Sequence, residues 1–225
     1  LLVGAWALFG LEESRSEATA LQARGENPFR AFAALLRQRR LVGSALAGAL
    51  NGATLFTYIS ASPGLLIGIY GIDPAHFGWV FGLNAAGVIG ASQVNRYLLL
   101  RATPDGVLRR ASLIGAGLGV LLAVAAVSGV GERWTVLPLL FLILSTYGFM
   151  QGNTMAGALS VDPSRAGSVS ALMGGASFGV GALAASLTGA FFNGTPGSMG
   201  IAMALAMGGS ALVLRWLALP RQSAL

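Results

Sequence analysis

Leu113-Ile114-Gly115-Ala116-Gly117-Leu118-Gly119-Val120-Leu121-Leu122-Ala123-Val124-Ala125-Ala126-Val127 contains no polar side chain at all. It shows none of the alternation a barrel strand requires. Together with its flanks it covers 111–130, about the 20 residues with which a helix crosses a hydrocarbon core. Five similar apolar stretches surround it, at about 41–71, 77–100, 135–159, 168–192 and 199–219. The gaps between them carry turn chemistry: Asp73-Pro74, Pro104-Asp105-Gly106, Asp162-Pro163 and Gly194-Thr195-Pro196-Gly197. The first stretch is longer than a crossing needs, and Ser62-Pro63-Gly64 near its far end predicts a break there.

Composition agrees. Of 225 residues 55% are hydrophobic and only 10% charged, too few charges to clothe a soluble domain. The 33 glycines suit helices that approach closely in lipid. The expected fold is an all-α membrane protein, a six-helix transmembrane bundle over 41–219. Without cysteine there is no thiolate metal site, disulfide or thiol nucleophile. No Ser–His–Asp set, phosphate loop or metal-ligand spacing is present, so the chain reads as no enzyme with no cofactor. The formal charge of +6 does not indicate nucleic acid, because the basic residues lie between apolar spans.

Three shorter regions complete the chain. Residues 1–11 are apolar but span only about 16 Å as a helix, and they read as the end of a truncated transmembrane helix. Residues 12–40 read as a connector in which Phe29, Phe32, Leu35 and Leu36 share one helical face. That is either a short amphipathic helix on the membrane surface or a solvated linker. Residues 220–225 form a tail. All 14 basic residues are arginine, and only Arg133 falls on the side opposite the connector. The positive-inside rule then places connector and C-terminus in the cytoplasm of a multi-pass protein of the bacterial inner membrane.

Polar residues within spans are expensive and mark helices that face a cavity. At 100° per residue Ser44, Asn51, Thr54, Tyr58 and Ser62 form one stripe, Asn84, Ser92 and Asn95 a second, and Ser170, Ser177, Gly181 and Thr188 a third. The fourth span offers two faces, Tyr147/Gln151/Thr154 or Ser145/Thr146/Asn153, and both stay open. The third span is bare and the sixth carries only Ser210, so these two are expected at the periphery with the other four around a central path, as three-helix repeats would arrange them. Candidates for a substrate cavity are Asn51, Thr54, Tyr58, Ser62, Asn84, Tyr147, Gln151, Asn153 and Ser177. The competing reading is structural: Ser and Thr bond their own helix, and Asn can tie helices together.

The blocks Phe56-Thr57-Tyr58-Ile59-Ser60-Ala61-Ser62-Pro63, Tyr70-Gly71-Ile72-Asp73-Pro74-Ala75-His76-Phe77-Gly78 and Phe81-Gly82-Leu83-Asn84-Ala85 resemble the seventh and eighth helices of Bcr/CflA-type drug-resistance transporters, in the major facilitator superfamily. Gly152-Asn153 and Ala166 to Gly174 resemble that family's tenth and eleventh helices. The resemblance implies the C-terminal half of a twelve-helix transporter. It implies efflux of drugs or small amphiphilic metabolites driven by a proton gradient, with a missing N-terminal six-helix half and membrane lipids as partners. Asn95, Arg96, Arg101, Asp105, Arg109 and Arg110 look like a degenerate copy of the superfamily's cytoplasmic signature, and form a candidate gating loop whose arginines would pair with helix C-termini or Asp105. Gly64, Gly152 and Ser177 stand where the family usually has an aromatic, a proline and a glutamine. The proton carrier is then expected outside this half, since no acidic residue or histidine lies mid-span. Two alternatives remain: uptake of a sugar or amino acid on the same fold, and a truncated membrane protein that transports nothing.

Overall fold

The computed structural model describes residues 28–130 and 132–219. The expectations for 1–11, 12–27 and 220–225 lie outside these. A short helix α1 (Pro28–Leu36) precedes six long ones: α2 (Arg39–Pro63), α3 (Pro74–Leu98), α4 (Pro104–Ser128), α5 (Glu132–Leu159), α6 (Ala166–Ala190) and α7 (Gly197–Val213). All six are long and apolar enough to cross a bilayer. Local chemistry sets their ends. Asp73 accepts a hydrogen bond from Ala75 N at 2.8 Å ahead of Pro74, and Thr103 one from Gly106 N at 3.2 Å ahead of Pro104. Gly129 closes α4 in the left-handed conformation (φ 70°) that glycine adopts without strain.

The expected break at Ser62-Pro63-Gly64 is absent. Pro63 has no N–H for the Ile59 carbonyl, and the Ser62 hydroxyl donates to that carbonyl instead, at 3.2 Å. The helix then runs on as a wider π-helical turn, Gly64–Ile69, closed by Tyr70 N donating to Leu65 O at 3.0 Å. A similar turn, Leu214–Ala218, extends α7.

Helix α2 is the hub, packed along α6 and also against α5 and α7, while α4 sits between α5 and α7 and α3 lies on α5. The shared core is built from Leu122, Leu140, Ile143, Leu144, Met150, Met203 and Met207. The expectation that the third and sixth spans are both peripheral is corrected for both, since 39% of the apolar stretch of α4 is buried within the bundle. Half of the apolar stretch of α7 is buried, against 11% of that of α3. Small residues explain it. A Cβ on Gly119 would lie 3.0 Å from Ala204 Cα, and one on Gly200 would lie 2.9 Å from Ala126 Cβ, so α4 and α7 meet almost backbone to backbone. Ser210 donates to Ala47 O of α2 at 3.2 Å. An unbroken apolar sequence here means a packed neighbour, which in lipid carries the same pattern as exposure.

Helix α1 is amphipathic but does not present its whole apolar face outward. Ala31 and Leu35 are buried with Leu41, Ala45, Ala158, Val169 and Met173, against the starts of α2 and α6. Leu36, expected on the same face, is exposed.

Candidate functional site

The polar stripes of α2, α3 and α5 converge inside the bundle. Asn84 donates to the Tyr58 hydroxyl at 2.9 Å and to Val80 O at 3.1 Å. Tyr58 in turn stacks on Phe81, ring centres 5.4 Å apart. About two turns along α3, Ser92 donates to Gly148 O of α5 at 3.2 Å. At the arginine-rich end Asn153 donates to Asn95 Oδ1 at 2.9 Å and to Phe149 O at 2.8 Å. Gly148 permits this approach, because a Cβ there would fall 2.3 Å from Val88 O.

The remaining candidates are also enclosed. Thr54 and Ser62 are buried and bond their own helix, to Leu50 O and Ile59 O. Ser177 is buried where α6 crosses α2, its Oγ only 2.2 Å from the place a Gly52 Cβ would occupy. Tyr147 and Gln151 are half-buried. Of the two faces of the fourth span, the one holding Asn153 faces α3.

Several of these groups lack a partner. Both polar atoms of Asn51, which is fully buried, make no hydrogen bond, and neither do Asn84 Oδ1 or Gln151 Oε1. A buried polar atom left unpaired costs about 1–3 kcal/mol. Three amides on three adjacent helices therefore hold open valences where the bilayer offers no water.

A separate cavity of about 880 Å³ lies between α2, α6 and α7, walled by Leu50, Val180, Leu183, Leu187, Ile201 and Leu205. Thr188, Asn193, Thr195 and Ser198 supply its polar atoms. None of the nine predicted cavity residues lines it. Sequence reasoning had put Thr188 on a polar stripe but passed over the other three, which sit in or beside a turn where polarity is unremarkable.

At the arginine-rich end Asn95 is buried inside the bundle, whereas Arg96, Arg101 and Arg110 are exposed. Asp105 is held by Arg40, whose Nη2 lies 3.0 Å from both carboxylate oxygens. The first turn of α4 faces the start of α2, so the carboxylate meets an arginine that precedes the first span. Arg39 donates to Trp216 O at the end of α7, satisfying one of the helix's last carbonyls. Beyond α5, Asp162 accepts from the Ser164 hydroxyl at 2.6 Å and from Arg165 Nη1 at 2.8 Å. The Ser164 bond, helped by Arg165, outweighs desolvation and holds the carboxyl below its ordinary range. Among the described residues no cluster of His, Cys, Asp and Glu could hold a metal ion.

The chain is 28% identical over 187 residues to a protein of Haemophilus influenzae named bicyclomycin resistance protein homolog, covering 83% of this chain and 47% of the relative. It is 30% identical over 149 residues to an uncharacterized MFS-type transporter, YdgK, of Bacillus subtilis, covering 62% of this chain and 35% of the relative. The chain thus spans less than half the length of these curated relatives, neither of which is named as an enzyme. No family model matches it. No solved structure matches it.

Proposed function

We propose that this chain, a homologue of transporters of the major facilitator type, is the C-terminal six-helix half of a secondary active transporter. In this reading a second six-helix half completes the protein, and a small amphiphilic substrate passes between the two by alternating access. Drug export against a proton gradient is the preferred direction. The name of the Haemophilus relative favours resistance over uptake, and the described polar groups in the middle of the spans are neutral, suiting an amphiphile better than a charged nutrient.

One observation carries the site. Asn51 sits on the hub helix, fully buried, with both its donor and its acceptor unused. In a bilayer such a group is kept against a standing cost, and function is the default reason for keeping it. Asn84, Gln151 and Tyr147 are assigned to the same wall, with Thr54, Tyr58, Ser62, Asn153 and Ser177 holding it in shape. The proton carrier belongs to the other half. Asn95, Arg96, Arg101, Asp105, Arg109 and Arg110, joined now by Arg40, form the cytoplasmic gate. Exposed aromatic residues mark the two membrane interfaces. Trp79 and Trp134 are exposed at one end, and Tyr97 and Trp216 at the arginine-rich end, as belts at the two interfaces.

The test uses the complete protein and Asn51→Leu. An apolar side chain of similar size removes the unpaired amide, so stability should hold or rise by about 1–2 kcal/mol. Drug accumulation in cells, which expression of the wild type should lower until an uncoupler is added, should rise several-fold with the variant. An accumulation level insensitive to both the gene and the uncoupler would reject export. Full transport by Asn51→Leu would reject the site.

A further inference from the structure

Leu113, Ile114, Gly117, Val120, Leu121, Val124 and Val127 are exposed on α4 and form one apolar stripe. Continued one turn toward the arginine-rich end, the same face reaches Arg110, also exposed. At about 1.5 Å per residue Arg110 lies about 21 Å from Val124 along the axis. That puts the guanidinium near one boundary of a hydrocarbon layer about 30 Å thick. The adjacent end of α3 repeats the pattern. Tyr97 is 70% and Leu100 79% exposed, and Arg96 and Arg101, also exposed, bracket them. Four apolar or aromatic residues in a row, Tyr97 to Leu100, would be poorly placed in water, so this turn dips into the lipid interface.

Among the described residues neither Arg101 nor Arg110 has a carboxylate partner. The one carboxylate in the segment, Asp105, already accepts Arg40 through both oxygens. The lipid-facing stripe itself carries no acid. A cation at the level of the lipid phosphates, with acyl-chain contacts directly beyond it, matches a ligand that is anionic at one end and apolar for the rest of its length.

We infer that the α3–α4 turn binds an anionic phospholipid of the adjoining leaflet. Arg101 and Arg110 grip its headgroup phosphate, and Leu100, Leu113 and Ile114 line the path of its acyl chains. If the orientation proposed above holds, that leaflet is the cytoplasmic one. Binding in detergent tests the site without assuming any sidedness, so its failure is separate from failure of the transport reading.

The experiment is native mass spectrometry of the complete protein, released from detergent after incubation with phosphatidylglycerol or phosphatidylcholine. Retention of phosphatidylglycerol should exceed that of phosphatidylcholine several-fold. The preference should vanish in R101Q/R110Q, persist in R101K/R110K, and stay intact in R133Q at the other end. Should R101Q/R110Q fail to fold, the wild type at high salt decides, since an ionic grip on the headgroup weakens as salt rises. Equal retention of the two lipids, an undiminished preference in the glutamine variant or at high salt, or displacement by millimolar inorganic phosphate would each overturn the assignment. The last would mark a site for free anions.

Discussion

Helices α3 and α5 approach through one backbone position, and Gly148→Ala is the sharpest test of that contact. The added methyl would stand 2.3 Å from Val88 O, 3.0 Å from Ala91 Cβ and 3.0 Å from Ser92 N. Two of these are backbone atoms within a helix and cannot turn aside. Reaching ordinary contact at about 3.5 Å requires the helices to part by about 1 Å. The bond from Ser92 to Gly148 O, already 3.2 Å, would break, and that from Asn153 to Asn95 would stretch from 2.9 Å. Overpacking of this kind costs about 1–3 kcal/mol, and each weakened hydrogen bond about 1 kcal/mol more. The expected loss is therefore about 3–5 kcal/mol. Gly152→Ala, one turn along the same helix, is the control. Nothing lies within 4 Å of its added methyl, and replacing a helical glycine by alanine should stabilise by about 0.5–1 kcal/mol. Thermal unfolding in one detergent compares the pair directly. A Gly148→Ala midpoint equal to that of Gly152→Ala would refute the close approach of α3 and α5.

Two smaller predictions follow from hydrogen bonds outside the seam. Ser62→Ala should cost about 1–2 kcal/mol, because it strips the Ile59 carbonyl of the hydroxyl that replaces the missing N–H of Pro63; Ser62→Thr should retain most of the stability in the same melt. Asp162 has a lowered pKa in the folded protein. Its contribution is thus complete above the ordinary carboxylate pKa near 4 and is lost as pH falls through the lower folded value. Unfolding followed from about pH 6 to pH 3 should show a shallower acid decline in Asp162→Asn, at a cost near neutral pH of about 1 kcal/mol; parallel curves would remove Asp162 from the account.

The six crossings were legible because hydrophobic length is a strong signal and the gaps carry proline and glycine. What each helix faces was much less so. The sixth span looks lipid-facing on paper, yet Gly200 and Ser210 draw α7 into the bundle, while the second span α3, with two asparagines, leaves most of its surface outside. In lipid an apolar residue is equally at home against a tail or a neighbour, so polarity alone does not sort the two. The site shows the same limit. Periodicity put Tyr58, Asn84 and Asn95 on polar stripes but left the face of Asn153 open, and only the structure separates amides already bonded from amides, such as Asn51, with no partner. Pairs distant in sequence, such as Arg40 with Asp105, depend on how the helix ends meet and leave no trace in local spacing.

The bonds that cross between helices are unevenly shared. Helix α3 is stitched to α2 by Asn84 and to α5 by Ser92 and Asn153, whereas among the described residues no hydrogen bond joins α4 to α7, which meet through Gly115, Gly119 and Gly200 with Met207 packed onto the first two. Smooth apolar contacts resist pulling apart but hardly oppose sliding, while a stitched contact resists both. If this bundle flexes during a cycle, α2, α3 and α5 travel together, with α4 and α7 tied to the same block through Arg40–Asp105 and Ser210–Ala47.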